Sequence, residues 1–354
     1  MESKTAEFLS PEKTVRERGL RVVAIGGGTG LSTLLKGLKR FVLSPSEIPS
    51  EKDSPCIRDL SAVVTVSDDG GSSGRLRKEL NMLPPGDIRN CIVALSEDEA
   101  LLSKLFRHRF EKGSGLEGHS FGNLFLAALT SLTSDFSEAV RLSSEILLTR
   151  GHIYPATTSN IELEALMEDG TRVRGETKIT ASKGRIRELF LVPPNVGPMP
   201  QTLEAIAHAD LITIGPGSLF TSLIPNLLVR GIAQAIVESP ATKVYICNLM
   251  TQANESLDLT AADHIRALNR HAQKQIFDFA LINRTPVSDE LKTKYASEGA
   301  CQIVNDLDAV EALGVIPVLG DYLDEGGVAR HNTTRVARDL MQLITQRPRP
   351  TRDA

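Results

Sequence analysis

Between residues 20 and 32 the chain runs from the apolar, β-branched segment RVVAI straight into Gly26-Gly27-Gly28-Thr29-Gly30, and then into LSTLLKGLKRF, whose apolar residues recur at helical spacing. A buried strand, a glycine-rich turn and a helix in that order constrain the fold more than any other feature of the sequence. Glycine admits backbone angles closed to other residues and lets a ligand approach the main chain. The helix that follows presents free N–H groups and the positive end of its dipole to an anion. The same rhythm returns down the chain. LSAVVTVS leads into Ser67-Asp68-Asp69-Gly70-Gly71-Ser72-Ser73-Gly74, DLITIG into Gly215-Pro216-Gly217-Ser218, and KVYICNL into Asn248, Met250 and Thr251. FDFALIN and GVIPVLG read as two further strands. Short apolar strands alternating with helical patterns predict an α/β fold: a Rossmann-like, doubly wound, mainly parallel sheet in three layers.

Residues 75–150 read as mostly helical, with helices expected over 95–110, 121–132 and 136–148. From about 151 to 195 the pattern changes to alternation with turn signals. IELEALMEDGTRVRGETKI predicts two strands around Asp169-Gly170, and RIRELFLV a third, together a β-rich insertion against one edge or face of the main sheet. Residues 1–19 are expected to be a flexible leader, 20–346 a single domain and 347–354 a flexible tail. Residues 44–58, rich in Ser, Pro and charge, read as a loop.

Bulk properties exclude several classes. The chain has 354 residues and a net charge of -4, with no Trp and 4% aromatic residues. Neither a basic footprint nor a stacking platform for nucleic acid is present. No stretch reaches membrane-spanning length, and no apolar signal core opens the chain, so a cytoplasmic location with no membrane partner is expected. Cys56, Cys91, Cys247 and Cys301 are far apart and form no CxxC, which argues against a zinc site or a disulfide framework.

The loops carry the candidate chemistry. Gly26, Gly27, Gly28, Thr29 and Gly30 suit a phosphate. The run from Gly28 to Thr33 departs from GxGxxG at its last place, which weakens a dinucleotide reading. Asp68 and Asp69 are candidates for holding a hydrated Mg²⁺ or a hydroxyl-rich ligand, and they are candidates for a catalytic role. Ser72 and Ser73 offer further donors, and Arg75 and Arg77 either neutralise phosphate or lie solvated on a helix. Asp87, in PPGDIRN, either caps its helix or joins the site as another carboxylate. His119 and Asn123, in GHSFGN, are placed to face a ligand, with His119 more readily structural than a general base. Gly215, Gly217, Ser218, Asn226, Asn248, Thr251, Arg330 and His331 complete the set of loop-borne polar residues. Core packing does not call for polar, glycine-rich loops at the end of nearly every strand.

Taken together, IGGGTGLSTLL, VTVSDDGGSSGRLR, PPGDIRN, GHSFGNL, IGPGSLFTSLIPNL and CNLMTQ resemble the CofD-like family, and most closely its YvcK branch, the gluconeogenesis factors. The resemblance spans about Val22 to Leu340. It implies a Rossmann-like three-layer core. It also implies either of two functions. In the YvcK branch the expectation is a regulatory protein that binds a UDP-sugar such as UDP-N-acetylglucosamine, is linked to cell shape and growth on gluconeogenic carbon, and acts on envelope precursor synthesis through a protein partner. In the 2-phospho-L-lactate transferase branch it is an enzyme that moves a phospholactyl group from a guanosine diphosphate carrier to a deazaflavin with Mg²⁺. By motif, Gly26 to Gly30, Asp68, Asp69, Asn123, Gly217, Asn226, Asn248 and Arg330 fall on the family's ligand-contacting segments, and a homo-oligomer is compatible with either function. One segment departs: after Thr251-Gln252 the YvcK branch commonly has Gly-Glu-Thr and soon an aromatic residue, where this chain has Ala253, Asn254, Glu255, Ser256 and then Leu259. A nicotinamide dehydrogenase is the weakest reading, because no hydride-transfer constellation accompanies the glycine loop.

Overall fold

The computed structural model describes residues 19–43, 55–97, 101–182, 184–253 and 255–346. The leader, the tail, most of the 44–58 loop and Asn254 lie outside the described residues. Seven parallel strands form the central sheet in the order β10-β9-β8-β7-β1-β2-β3, with helices on both sides. These are β1 (Leu20–Gly26), β2 (Ile57–Val64), β3 (His152–Pro155), β7 (Leu211–Ile214), β8 (Thr242–Ile246), β9 (Phe279–Asn283) and β10 (Ile316–Gly320). Every neighbouring pair in this sheet is parallel. Strands covered on both faces need no alternation, and β7 and β9 are accordingly buried at every residue.

The chain winds outward from β1 through β2 to β3, then returns to place β7 on the other side of β1. Winding direction therefore reverses between β1 and β7, the place where open α/β sheets leave a crevice at the carboxyl ends of their strands. Helix α1 (Gly28–Leu38) follows β1, α2 (Gly71–Leu80) follows β2, and α3 (Gly86–Leu95), α4 (Leu101–Arg107), α5 (Phe121–Thr133) and α6 (Phe136–Ile146) complete the segment before β3.

Two readings of the helical and insertion segments change. The helix expected over 95–110 is shorter: α3 already ends at Leu95, and within the span the described helix is α4, Leu101–Arg107. α3 stops at Leu95 because Ser96 turns extended (φ -57, ψ 140) and forms an antiparallel bridge with Thr149. The insertion is shorter than 151–195, since β3 pairs with Ser61–Val64 as the edge of the main sheet. What remains is an antiparallel sheet of β4 (Glu162–Met167), β5 (Arg172–Arg174) and β6 (Ile186–Val192), with α7 (Glu176–Ala181) in place of the strand expected from ETKI. Gly175, at φ +101, makes the turn from β5 into α7. The alternating burial of β4 shows one face of this sheet packed and one wet. Among the described residues no single helix is long and apolar enough to cross a membrane.

Candidate functional site

The loops after β1, β2, β7 and β8 converge on one cavity of about 740 Å³. Its floor is formed by two glycine turns in tight contact. A Cβ on Gly30 would stand 2.3 Å from the carbonyl oxygen of Pro216, so the backbones after β1 and β7 meet at that point only because residue 30 has no side chain. Gly28 has φ +62, and no side chain caps α1 at its N-cap, Gly27. The first turn of α1 is thus left to a ligand or to a neighbouring group.

Asp87 supplies part of that partner. It does not cap its own helix, as α3 has no side-chain cap bond at Pro85. Its carboxylate accepts a hydrogen bond from the Gly28 N–H instead, and a Cβ on Gly27 would lie 3.0 Å from Asp87 Oδ2. Burial pushes the Asp87 carboxyl up to about 6, with the charge of Asp68 adding to the shift and the Gly28 hydrogen bond opposing it. Asp68 lines the cavity, and its Oδ1 accepts from the Gly70 N–H at 2.9 Å. Glu176, the first residue of α7, reaches in from the insertion, where Ser67 Oγ donates to its Oε2 at 3.0 Å. Burial holds Glu176 well above the ordinary carboxylate value, and Asp68 and Asp87 push it in the same direction. Three carboxyl groups therefore share this side of the cavity, and the charge of Asp68 opposes ionisation of both Asp87 and Glu176.

The structure separates the aspartate pair. Asp69 is not among the residues lining the cavity; its Oδ1 accepts from both the N–H (2.9 Å) and Oγ1 (2.5 Å) of Thr177. Adjacent residues in an extended loop point to opposite sides, so one aspartate enters the cavity and the other clamps the first turn of α7. The chemistry of the remaining set, hard carboxylate oxygens beside a phosphate-sized turn, suits Mg²⁺ rather than a softer ion. Among the described residues no three His, Cys, Asp or Glu side chains are grouped as ligands for one ion. A bound Mg²⁺ would therefore take Asp68 with Asp87 or Glu176 and draw its other oxygens from phosphate and water.

On the opposite wall, Asn248 fixes the second glycine turn: its Oδ1 accepts from the Gly217 N–H (3.1 Å) and its Nδ2 donates to the Gly217 carbonyl (2.8 Å). Ser218 lies beside it, followed by a π-helix, Leu219–Leu223, which carries Thr221 into the same wall. Glu255 closes the N-terminal end of that helix, accepting from the N–H groups of Phe220 and Thr221 at 2.8 Å each, and burial raises its carboxyl. Gln252 Nε2 donates to Ser218 Oγ at 2.9 Å. Thr251 lines the cavity while its Oγ1 accepts from the Cys301 N–H.

The far rim comes from the hairpin of β11 (Leu323–Glu325) and β12 (Ala329–His331) and from α12 (Asp289–Ala296). Arg330 and His331 both line the cavity. His331 Nε2 donates to the Cys247 carbonyl at 3.0 Å, and burial pushes the ring down to about 4, so it is neutral at pH 7. Tyr295 of α12 also lines the cavity, with its hydroxyl accepting from the Ala329 N–H at 3.1 Å. The segment after Gln252 lacks the expected ring, since Leu259 packs against the core, but Tyr295 brings an aromatic side chain to the same cavity from a helix distant in sequence.

Other sequence candidates serve the framework. Asn226 is buried and its Nδ2 donates to the carbonyls of Gly26 (3.2 Å) and Ser222 (2.8 Å), tying the π-helix to the end of β1. Asn123 Nδ2 donates to Ser72 Oγ (3.1 Å), which meets His119 Nδ1 at 2.9 Å; all three are buried outside the cavity. Ser73 packs against Gly86, whose Cβ would lie 2.4 Å from Ser73 Oγ. Gly26 and Gly215 shape the strand ends without lining the cavity. Arg75 donates to the Glu117 carbonyl and Arg77 to the carbonyls of Ser67 and Ile161, so neither arginine faces a ligand in the cavity. Glu176, Thr180, Thr221, Ser222, Gln252 and Tyr295 line the cavity and were not singled out from the sequence. For Glu176 the signal was an acid directly after a glycine at a helix start; for Tyr295 no local signal exists.

The family description 2-phospho-L-lactate transferase CofD matches residues 22–323. The chain belongs to the CofD family. Within it, the chain is 49% identical over 323 residues to a gluconeogenesis factor of Halalkalibacterium halodurans, covering 91% of this chain and 95% of that protein. It is 46% identical over 328 residues to the gluconeogenesis factor of Bacillus subtilis, covering 92% and 98%. A crystal structure of a Bacillus halodurans protein matches with a TM-score of 0.85 at 48% identity, over 91% of this chain and 99% of that one. Among CofD family members it is thus similar over nearly its whole length to those named gluconeogenesis factors.

Proposed function

We propose that this protein is a cytoplasmic, nucleotide-sugar-binding regulator that takes a UDP-sugar of the UDP-N-acetylglucosamine kind and acts on cell shape and envelope precursor synthesis through a protein partner. The observation that carries the reading is the meeting of the Gly27–Gly30 and Gly217–Ser218 turns at the floor of a cavity of about 740 Å³, a size within the usual range of small-molecule sites. In this reading the diphosphate lies on the first turn of α1, with Arg330 above it. Tyr295 supplies a face for the base or sugar, and Asn248 and Ser218 hold the turn that the ligand spans. Similarity to gluconeogenesis factors over nearly the whole chain supports the regulatory assignment.

A second reading is supported by the carboxylates Asp68, Asp87 and Glu176 and by the description of the matched family: transfer of a phospholactyl group from a guanosine diphosphate carrier to a deazaflavin. There Mg²⁺ would neutralise the diphosphate leaving group, and Asp68 and its neighbours would orient it. Thermal unfolding with UDP-N-acetylglucosamine, UDP-glucose, GDP and NAD, each with and without Mg²⁺, separates the two. A ligand at 100 times its Kd stabilises by about 2.7 kcal/mol. Stabilisation by UDP-sugars supports the regulator. A response confined to GDP and strengthened by Mg²⁺ replaces it with the transferase, and no response to any of the four refutes both.

A further inference from the structure

The cavity presents different chemistry at its two ends. Over β1 and β7 the glycine turns offer backbone N–H groups, the donors that an anion requires. Over β8 the wall is apolar: Leu249, Met250, Val328 and Ala329 line it together with Tyr295. β8 lies two strands from β1, about 10 Å away at roughly 4.8 Å per strand. A nucleotide-sugar with its phosphates on the first turn of α1 therefore extends one end toward β8 and the other toward the carboxylates beyond β2. Its hydroxyl-rich sugar suits the carboxylates, and the faces of its base suit the apolar wall.

Two hydrogen-bond acceptors stand without partners at the β8 end. His331 Nε2 meets the Cys247 carbonyl at 3.0 Å. A carbonyl only accepts, so Nε2 carries the proton, and in the neutral ring Nδ1 is then an acceptor. Among the described residues nothing donates to Nδ1. Gln252 Nε2 donates to Ser218 Oγ, while its Oε1 is buried with no partner. A buried acceptor left unpaired costs free energy. The polar groups around them are engaged: both atoms of the Asn248 amide with Gly217, Thr251 Oγ1 with the Cys301 N–H, and the Tyr295 hydroxyl with the Ala329 N–H. Arg330 brings a cation to this end, but successive strand residues point to opposite faces. Arg330 is exposed and also lines a shallow hollow beside Glu325 and Gly326, whereas His331 is tied to the end of β8.

We propose that His331 Nδ1 and Gln252 Oε1 select the ligand at this end by accepting hydrogen bonds from N–H or O–H groups of its nucleoside. A phosphate oxygen brings no hydrogen, and both acceptors turn it away. The ligand is therefore held in one orientation, with phosphates over β1, nucleoside over β8 and sugar toward Asp68 and Glu176. The donors have two sources, the N–H of the base and the hydroxyls of the ribose. The inference rests on the nucleotide-sugar reading of the cavity.

The test is isothermal titration of the full-length protein with UDP-N-acetylglucosamine and three analogues, one methylated at uracil N3, one 2′-deoxy and one 3′-deoxy. At least one analogue should bind the wild type at least about tenfold more weakly, and its identity names the donor. His331→Phe keeps a ring but no acceptor. It should weaken the parent ligand to the level of that analogue and leave the analogue unchanged. His331→Gln, whose amide can donate to the Cys247 carbonyl and still accept, should keep the difference. Gln252→Leu should narrow the gap for the donor that Gln252 reads, and it carries the test alone if melting shows that His331→Phe does not fold. Equal binding of all four ligands to the wild type overturns the proposal. So does a loss in His331→Phe and Gln252→Leu by the same factor for every ligand, which marks a merely structural role. A wild type that binds GDP but no UDP-sugar removes the UDP-sugar reading, and the same comparison with 2′-deoxy-GDP and 3′-deoxy-GDP then decides this inference separately. Binding of no nucleotide overturns both.

Discussion

Replacing Asp87 by Asn tests the electrostatics of the cavity directly. Asp87 is half-buried at the cavity wall, accepts the Gly28 N–H and shares that wall with Asp68 and Glu176, and its carboxyl is pushed from the ordinary 3.8 to about 6. Because the folded value is raised, the folded state holds a proton between these two pH values that the unfolded chain has already released. The stability Asp87 contributes is fully present below 3.8 and is lost as pH rises through about 6. A shift of about two units corresponds to roughly 3 kcal/mol. At about 2.1 cal/mol/K per residue of unfolding entropy, that is about 4 °C of melting temperature for a domain of this size. Asn keeps an oxygen for the Gly28 N–H and cannot ionise. Asp87→Asn should therefore gain about 3 kcal/mol on the wild type between pH 4 and pH 8. The neutral side chain also relieves Glu176, which changes the difference in the same direction. Urea unfolding of both proteins at half-unit pH steps measures it. Parallel stability curves, or a variant that loses ground as pH rises, would refute a desolvated, repelled carboxyl at this position.

Five further substitutions, at four positions, probe the site. Gly30→Ala places a methyl group 2.3 Å from the Pro216 carbonyl oxygen, so the two glycine turns must part; the expected cost is about 1–3 kcal/mol in urea unfolding, and unchanged stability would deny the close contact. Tyr295→Phe keeps the ring but leaves the Ala329 N–H without its acceptor, whereas Tyr295→Ala removes both. Isothermal titration with a UDP-sugar should show a loss of a few fold for Phe and at least about tenfold for Ala, and equal affinity in all three proteins removes Tyr295 from the ligand site. Asp68→Ala should abolish binding, while Asp69→Ala should mainly speed hydrogen exchange over residues 176–181 by releasing Thr177. Equal loss of binding in both would return Asp69 to the ligand.

The parallel core was legible in the sequence because its physics is local. A strand buried on both faces is a mainly apolar run without alternation, as in LITI of β7 and FALIN of β9, and each run is closed by a polar or glycine-rich turn. Boundaries set by distant pairing were not legible. Nothing within 95–110 announces that Ser96 will leave the helix to bridge Thr149, and nothing in HIYP states that it will lie beside β2. The site divides along the same line. Turns carried by strand ends, Gly27–Gly30 and Gly217–Ser218, could be placed, since parallel strands deliver all their carboxyl ends to one edge. Side chains brought in from elsewhere, Glu176 from the insertion and Tyr295 from α12, could not, because their part depends on packing between segments far apart in the chain. Asp68 and Asp69 are the instructive case. Their adjacency suggested joint action, yet Asp69 is held by the N–H and hydroxyl of Thr177, a partner brought in by packing of the insertion. The acid that joins Asp68 lies nineteen residues on, at Asp87, and the next is Glu176, at the start of α7 in the insertion.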